Sequence, residues 1–559
     1  MVAPTRLTTG QIRYRLRSGA WDATTLSDLW RQRALRHPGR IALSDARRMQ
    51  TNREAWDEMQ RAAADLARLD LDPDVPVMLH HASGRRQLVL RVACEMAGLI
   101  AAPLHPGLGE KEVRSAVRVL CPQAVVTDLP GTLEALAVTG VRRKHPGLRL
   151  LDDRSASWAA RAPERFPPRA ARQFRDPVAV GSTDVSLLLH TSGSTGAPRF
   201  VEHSACHRIA QWRANAEVLG ITDTDGIALL SPHPGGINLP GHFGAAVTGA
   251  RVVFLDRFSP SRALERLARE RCTMATAVPA MLAIMLAAWR EAHAADRKAL
   301  SRGRPHARRP ERPRALPHLR YWWCAGAALS PDLGQQVEAE LGGMVIPVYG
   351  ATDWGGECMG HPGLPAQQRL SSVGRPVDGG RVRVVGPSGR GVPRGVPGRI
   401  LATGPNCVSG YWKDPDATAA RFTSRGWCHT GDIGRIDHHG NLVVLGRGDD
   451  VVIRGGVNIH PAEVESILRK QPGVLDAAVL GVPDPVLGQR LAAFVAVRGN
   501  VVRGDAVAWA RNAVEQWGAA PFKAPEIVIV MAALPLTPAG KTDRAALEAL
   551  LPSWTSVHP

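Results

Sequence analysis

Three features of the sequence predict an α/β protein built of helix-covered sheets. Strand-like and helix-like stretches alternate through most of the chain, which argues for parallel sheets flanked by helices. After Gly374 the texture changes to short strands punctuated by glycine, which marks a β-rich subdomain, and a compact α/β tail follows Asp449-Asp450. At 559 residues the chain is also too long for one ordinary core, so two or more domains are expected.

The elements follow in order. Residues 22–70 read as helical: Thr24 or Thr25 can cap a segment carrying Leu26, Leu29 and Trp30 at helical spacing, and a second segment runs over 52–69. Residues 76–80 and 124–128 read as strands on either side of an amphipathic helix over 88–99, and the Arg-, Pro- and Ala-rich stretch 129–175 as a loose connector. Leu187-Leu188-Leu189-His190 reads as a buried strand that opens into a loop of small residues. Beyond it lie a strand over 251–255, a helix over 261–271 and a strongly apolar helix over 279–289. The basic stretch 291–314 reads as an exposed, mobile insertion. Residues 319–324 and 344–348 read as buried strands; the second delivers Tyr349 onto a loop at a carboxyl strand end, where open α/β sheets bind ligands. Short strands over 381–385, 399–402 and 441–445 precede the tail, which contains helices over 461–470 and 505–517 and strands over 477–480 and 491–497.

Bulk properties narrow the function classes. A net charge of +19 invites a nucleic-acid reading, but only seven of the 70 basic residues are Lys. The arginines are dispersed, without the aromatic interleaving of a single-strand groove, so the charge reads as general surface charge and nucleic acid is set aside as a partner. No run approaches the roughly 20 apolar residues of a membrane span. The N-terminus Met1-Val2-Ala3-Pro4-Thr5-Arg6 lacks the apolar core of a signal peptide, and the eight cysteines contain no CxxC pair. A cytoplasmic location with reduced thiols is the expectation.

The chemistry concentrates in the loop Thr191-Ser192-Gly193-Ser194-Thr195-Gly196-Ala197-Pro198-Arg199. Its glycines let the backbone approach a ligand, and its backbone N–H groups and hydroxyls make a concave donor surface suited to phosphate oxygens. Arg199 adds a planar fork of charged donors. The GxxxxGK[ST] spacing of a Walker loop is absent. Four more stretches follow in sequence: Tyr349-Gly350-Ala351-Thr352-Asp353, Thr430-Gly431-Asp432, Gly446-Arg447-Gly448-Asp449-Asp450, and Pro538-Ala539-Gly540-Lys541-Thr542-Asp543-Arg544. Together the five resemble the adenylate-forming superfamily of acyl- and aryl-CoA ligases, luciferases and peptide-synthetase adenylation domains. The motifs span 191–544, and weaker similarity reaches back to about Trp21.

The resemblance implies a large N-terminal adenylating domain, 1–448, and a small mobile C-terminal domain, 449–559, hinged at Asp449. It implies ATP-dependent activation of a carboxylic acid to an acyl-adenylate with release of pyrophosphate, followed by thioester formation with CoA. Two anions must meet in the first step, so positive charge and alignment are the main requirements. By the match, Thr191, Ser192, Gly193, Ser194, Thr195, Gly196 and Arg199 hold the β- and γ-phosphates, Tyr349 lies near the adenine and Thr352 touches the α-phosphate. Asp353 is the Mg²⁺ ligand, Asp432 takes the ribose hydroxyls with Arg447 beside it, and Lys541 bridges the attacking carboxylate and the α-phosphate. Two positions depart from the family: Arg199 stands where Lys is usual, and Asp353 where Glu is usual. Glu357 is a possible substitute metal ligand, but it reads first as a solvated acid.

Ser231-Pro232-His233-Pro234-Gly235-Gly236-Ile237-Asn238 occupies the family's acid-pocket position, with His233 at its aromatic or His site. This stretch contains no acid to hold an α-ammonium, so amino-acid substrates are disfavoured. Gly235, Gly236, Trp322, Trp323, Ala325 and Gly326 suggest an apolar slot with aromatic walls, suited to an aryl or medium acyl acid. Val452-Ile453-Arg454-Gly455-Gly456-Val457-Asn458-Ile459-His460-Pro461 resembles the aryl-CoA ligase pattern in which Gly455 and Gly456 wall the tunnel for the pantetheine thiol. Carrier-protein phosphopantetheine presents the same arm, so a stand-alone ligase loading an acyl or aryl carrier protein is the alternative. A catalytically weakened homologue that binds ATP or a partner is the third reading, motivated by Arg199 and Asp353. His438-His439-Gly440 reads as a hairpin turn rather than a metal pair.

Overall fold

The computed structural model describes residues 7–137, 141, 144–145, 147–154, 181–191, 199–231, 235–301, 316–352, 354, 357–377, 379–448, 452–454, 457–459, 461–484, 487–499, 501–502, 504–517, 519–537 and 540–551. Short apolar runs such as Val77–His80, Ala124–Thr127 and Leu187–His190 have no alternating polar face, so they are stable only as strands covered on both sides. They enter a six-stranded sheet in the order Arg149–Asp152, Ala124–Thr127, Val77–His80, Ala101–Pro103, Leu187–His190, Phe200–His203. Its pairings are parallel except the last, in which Leu187–His190 and Phe200–His203 form an antiparallel hairpin.

A nine-stranded sheet runs Arg375–Pro376, Glu357–Met359, Met344–Gly350, Tyr321–Cys324, Met274–Ala277, Gly226–Leu229, Arg251–Phe254, Ile41–Ser44, Met49–Thr51. Its centre is parallel and both margins are antiparallel. One continuous core joins the two sheets, taking Leu187 and Leu189 from the first, Leu229, Val252, Trp323 and Ile346 from the second, and Met59, Leu66, Leu88 and Trp212 from helices between them. A four-stranded antiparallel sheet over Arg381–Val385, Gly398–Thr403, Cys428–Ile436 and Leu442–Arg447 follows. The smaller C-terminal domain has its own sheet and a core of its own around Val464, Ile467, Val479, Leu491, Val495 and Val514.

The structure corrects the sequence reading in several places. Residues 22–70 are not helical throughout, because Ile41–Ser44 and Met49–Thr51 form a strand pair between the helices Leu26–Arg36 and Asn52–Ala67. Ile41–Ser44 is short and lacks a period, and it is fixed as a strand by parallel pairing with Arg251–Phe254. The supposed connector 129–175 contains the helix Pro130–Ala137 and the sheet strand Arg149–Asp152, while 155–180 lie outside the described residues. The apolar helix does not stop at 289 but runs Pro279–Ser301, because Ala-rich sequence continues the helix into the basic stretch expected to be an insertion. Residues 302–315 lie outside the described residues. The strands Gly226–Leu229 and Met274–Ala277 and the helix Ala205–Leu219 were not anticipated.

Burial also fixes a pH dependence. His80 bonds Thr132 Oγ1 at 2.7 Å and the His105 carbonyl at 3.0 Å, and burial holds His80 and His105 down to about 4 and His242 to about 3. These rings stay neutral in the fold but take protons near 6.5 once unfolded, so stability is full above about 6.5 and is lost as pH falls from there toward 4. Glu357, pushed up to about 7, works in the opposite direction, as do the raised carboxyls of Glu95, Asp184 and Asp256, while the lowered carboxyls of Asp45, Glu58 and Asp128 side with the histidines. The thermal midpoint is therefore expected to be steady from pH 7 to 8 and to fall progressively between 6.5 and 4. A midpoint that stays flat or rises across that window contradicts the assignment.

Candidate active site

The carboxyl ends of the parallel strands collect most of the expected residues that lie in the described chain. Tyr349 ends the strand Met344–Gly350, and its hydroxyl donates to Asp432 Oδ2 at 2.5 Å. Asp432 is 8% exposed; it lies opposite Arg447 in the antiparallel pairing of Cys428–Ile436 with Leu442–Arg447, and Arg447 Nη1 approaches its Oδ1 at 3.5 Å. Burial and the neighbouring carboxylate push the Tyr349 hydroxyl well above its usual range, so it remains a donor at neutral pH. Trp354 packs on Tyr349 with ring centroids 5.4 Å apart. The result is a carboxylate with an aromatic on one side and an arginine on the other, at the join between the nine-stranded and four-stranded sheets.

Thr191 and Arg199 close the base of the small-residue loop: Thr191 N donates to the Arg199 carbonyl at 2.9 Å, extending the hairpin of Leu187–His190 and Phe200–His203. The Arg199 side chain is half exposed and stands 3.7 Å from Asp414 and 5.7 Å from the centre of the Tyr411 ring. The 404–412 segment connects this hairpin to the Tyr349 loop. Trp412 N donates to the Phe200 carbonyl at 2.7 Å, and Val408 N donates to the Trp354 carbonyl at 3.0 Å. Thr352 sits in the turn between Gly350 and Trp354.

The C-terminal domain reaches the same place. Gly326 follows the strand Tyr321–Cys324 with φ +91°, and a Cβ there would lie 3.7 Å from Lys541 Cε and 3.3 Å from Val278 Cγ1. A Cβ at Gly540, φ +76°, would lie 3.3 Å from Val278 Cγ2. The Lys541 turn is braced by Gly540 N donating to the Thr537 carbonyl at 2.8 Å and Thr537 N donating to the Lys541 carbonyl at 2.7 Å. Both glycines take left-handed φ and lie against the Val278 side chain, and the lysine stem lies beside Gly326 at the strand end.

The residues expected to line an acid pocket follow. A Cβ at Gly235 would meet Leu189 Cδ1 at 3.2 Å, whereas at Gly236, φ +45°, nothing lies within 4 Å of the Cβ position. Asn238 donates to the Ser231 carbonyl at 2.6 Å and accepts from Thr276 Oγ1 at 3.0 Å. Trp323 is 2% exposed and packs on Trp212 of the helix Ala205–Leu219, ring centroids 5.1 Å apart. Trp322 does not join it: strand alternation sends it to the opposite face, where its indole N–H donates to the Gly342 carbonyl at 2.8 Å. Ser192, Gly193, Ser194, Thr195, Gly196, His233, Asp353, Asp449, Gly455 and Gly456 lie outside the described residues. The strands flanking the last two pair with Arg454 opposite Val457.

The AMP-binding enzyme family matches residues 30–412, and its C-terminal domain matches residues 463–541. The chain belongs to the AMP-binding enzyme family. It is 34% identical over 364 residues to a sulfoacetate–CoA ligase of Cupriavidus necator, an alignment covering 65% of this chain and 66% of that one. Against a salicylyl-CoA synthase / salicylate adenylyltransferase of a Streptomyces species it is 30% identical over 557 residues, covering 96% and 95% of the two chains. Among solved structures, o-succinylbenzoate CoA synthetase of Bacillus subtilis in complex with its acyl-adenylate intermediate superposes with a TM-score of 0.75 at 25% identity, covering 93% and 97%.

Sequence reasoning misjudged one acid of this AMP-binding enzyme. Glu357 is not solvated but buried, 8% exposed, on the strand Glu357–Met359, where it accepts from the Asn215 side-chain amide. Burial pushes its carboxyl up to about 7, against the pull of Asn215, Arg208 and Gln211. The helix carrying these partners held no motif, so only the fold brings them together. Among the described residues no group of three or more His, Cys, Asp or Glu makes a metal cage, and none of the helices is long and apolar enough to cross a membrane.

The Tyr349–Asp432 bond can be measured. Tyr349→Phe leaves a largely buried carboxylate short of a donor and is expected to lower unfolding free energy by about 1–3 kcal/mol. In a urea double-mutant cycle with Asp432→Asn the two losses should be non-additive. Additivity within about 0.3 kcal/mol would show that the two groups do not act together.

Proposed function

We propose that this AMP-binding enzyme activates an aryl or medium acyl carboxylic acid with ATP, releases pyrophosphate, and passes the acyl group from the adenylate to the thiol of CoA. The observation that carries the reading is Lys541 lying over Gly326, beside the strand end that holds Tyr349 against Asp432 and Arg447. In this reading the ammonium of Lys541 bridges the acid's carboxylate and the α-phosphate. Such a preorganised donor stabilises the charge that grows as carboxylate oxygen attacks the α-phosphate. Asp432 offers two acceptor oxygens to a vicinal diol, and Tyr349 and Trp354 offer flat surface for a base. The hairpin loop and Arg199 supply donors for the outer phosphates. Asp353 would supply the hard carboxylate oxygen for a Mg²⁺, whose charge would offset that of the phosphates.

CoA is the acceptor favoured by the two relatives named as CoA ligase and CoA synthase; loading of a carrier-protein phosphopantetheine is the second reading, because the same thiol arm serves both. Retention of Thr352, Asp432, Arg447 and Lys541 speaks against a catalytically weakened homologue.

Two expected outcomes follow from this reading. Lys541→Ala should lower adenylate formation by about 10²–10³-fold while still converting a supplied acyl-adenylate to thioester, as single-turnover kinetics of each half would record. Equal slowing of both halves would mean one static site does both, and the division of labour between domains about Asp449 would fail. For the phosphate loop, Arg199→Lys should keep most activity, whereas Arg199→Ala should raise the KM for ATP; identical ATP dependence in all three forms removes Arg199 from the phosphate site.

A further inference from the structure

The four-stranded antiparallel sheet has two unlike faces. Val382, Val384, Ile400, Ala402 and Cys428 pack into the core that also holds Trp354 and Tyr411. Strand alternation sends Arg381 and Arg383 to the other face, where pairing sets Thr403 opposite Arg381, Leu401 opposite Arg383 and His429 opposite Leu401. The sequence feeds this sheet with cations: from Gly379 to Lys413 it holds five arginines and no Asp or Glu, and Arg421 and Arg425 follow.

A cleft of about 570 Å³ opens here, lined by Arg383, Val392, Leu401, Ser424, Arg425 and Trp427 among others. Two turns form its rim. In one, Gly386 N donates to the Arg390 carbonyl at 2.9 Å; in the other, Thr423 N donates to the Trp427 carbonyl at 2.8 Å and Trp427 N donates to Thr423 Oγ1 at 3.0 Å. Gly389 and Gly391, which also line the cleft, have nothing within 4 Å of a Cβ position, so backbone is open to a ligand there. Trp427 orders the cations: the guanidinium carbons of Arg383 and Arg381 stand 4.7 and 5.8 Å from its ring centre.

These cations lack counter-charges. Among the described residues, no hydrogen bond or ion pair holds the side chain of Arg381, Arg383 or Arg425. Elsewhere on the surface, Arg48, Arg290 and Arg490 meet Glu58, Glu340 and Asp484. Burial, with Arg399 and Arg421 adding to it, holds the His429 ring below its usual range, in keeping with a positive field on this face. Guanidinium groups gathered without acids repel one another, and an anion of two or more charges relieves that repulsion.

We propose that this cleft binds an organic phosphate of nucleotide size, with its phosphate on Arg383, Arg425 and the Ser424 hydroxyl and its flat body against Trp427, Leu401 and Val392. Guanidinium forks match phosphate oxygens bidentately, and clefts of about 300–1,000 Å³ take ligands of this size. The apolar wall separates such a ligand from a bare inorganic anion. The cleft is also separate from the adenylation site. Asp432 alternates to the core side with Cys428 and Thr430 and meets Tyr349 there, so the two sites lie on opposite faces of one sheet. ATP, AMP and the nucleotide end of CoA all present the required chemistry.

The test is isothermal titration of the full-length enzyme with ATP, AMP, 3′-phosphoadenosine 5′-phosphate (the nucleotide end of CoA) and inorganic pyrophosphate. Wild type is compared with Arg383→Gln/Arg425→Gln and with Ser424→Glu, which places a like charge in an exposed turn. The expected result is that wild type binds one equivalent more of at least one nucleotide than the double variant does, and the nucleotide that fills it identifies the source. That equivalent should bind about tenfold or more tightly than pyrophosphate, and should weaken about tenfold or more in Ser424→Glu. Equal stoichiometry in wild type and double variant, an equivalent unchanged in Ser424→Glu, or pyrophosphate binding as tightly as every nucleotide overturns the proposal. None of these outcomes touches the adenylation reading, which concerns the other face of the sheet.

Discussion

The bond from Tyr349 to Asp432 joins two different architectures. Tyr349 stands at the end of a parallel strand, and Asp432 stands in an antiparallel sheet that shares a core with Trp354 and Cys358 through Ile400, Ala402 and Leu442. A carboxylate removed from water needs charge-matched or hydrogen-bonding partners, and Tyr349 and Arg447 provide both. The local strand geometry serves the same end. The pairing of Cys428–Ile436 with Leu442–Arg447 shifts register between Ile433 and Gly434, and Gly431 and Gly446 take φ of +78° and +138°. Such a bulge re-aims side chains, and here it turns Asp432 and Arg447 toward the strand ends.

Around that join, the remaining motif stretches are connected by backbone rather than by proximity in sequence. The 404–412 segment bonds the Leu187–His190/Phe200–His203 hairpin at Phe200 and the Tyr349 loop at Trp354, so both are held to one connecting segment. Lys541 arrives from a domain with its own core, and Gly540 of its turn and Gly326 both lie against the Val278 side chain. The ion pair between Arg498 and Glu291 that also spans the two domains is exposed on both sides, and exposed pairs contribute little. Weak surface contacts with one closely fitted turn suit the proposal that the C-terminal domain leaves this position for the second half-reaction.

The sequence revealed most where chemistry demands particular residues. Tyr349, Asp432, Arg447 and Lys541 were named from motifs and Gly326 from the expected apolar slot, and the structure brings them to one edge of the sheets. The parts it concealed are of two kinds. Strands of three or four residues, such as Ile41–Ser44 and Arg149–Asp152, are too short to show a period and exist because a neighbour pairs with them. Side chains whose meaning is a partner far along the chain were also hidden: Glu357 looks like any surface acid until Asn215, 142 residues earlier, is placed beside it. Trp322 and Trp323 show the converse, since alternation along one strand assigns Trp323 to the core between the two sheets and Trp322 to the core on the opposite face.

The central claim is that a carboxylate oxygen attacks the α-phosphate of ATP at the point where Lys541 lies over Gly326. The most direct measurement supplies an acid labelled with ¹⁸O in its carboxylate and follows the label by mass spectrometry after turnover with CoA. Direct attack predicts one labelled oxygen in the AMP released and none in the pyrophosphate. Label in inorganic phosphate with ADP as the other product, or AMP without label, would contradict the account.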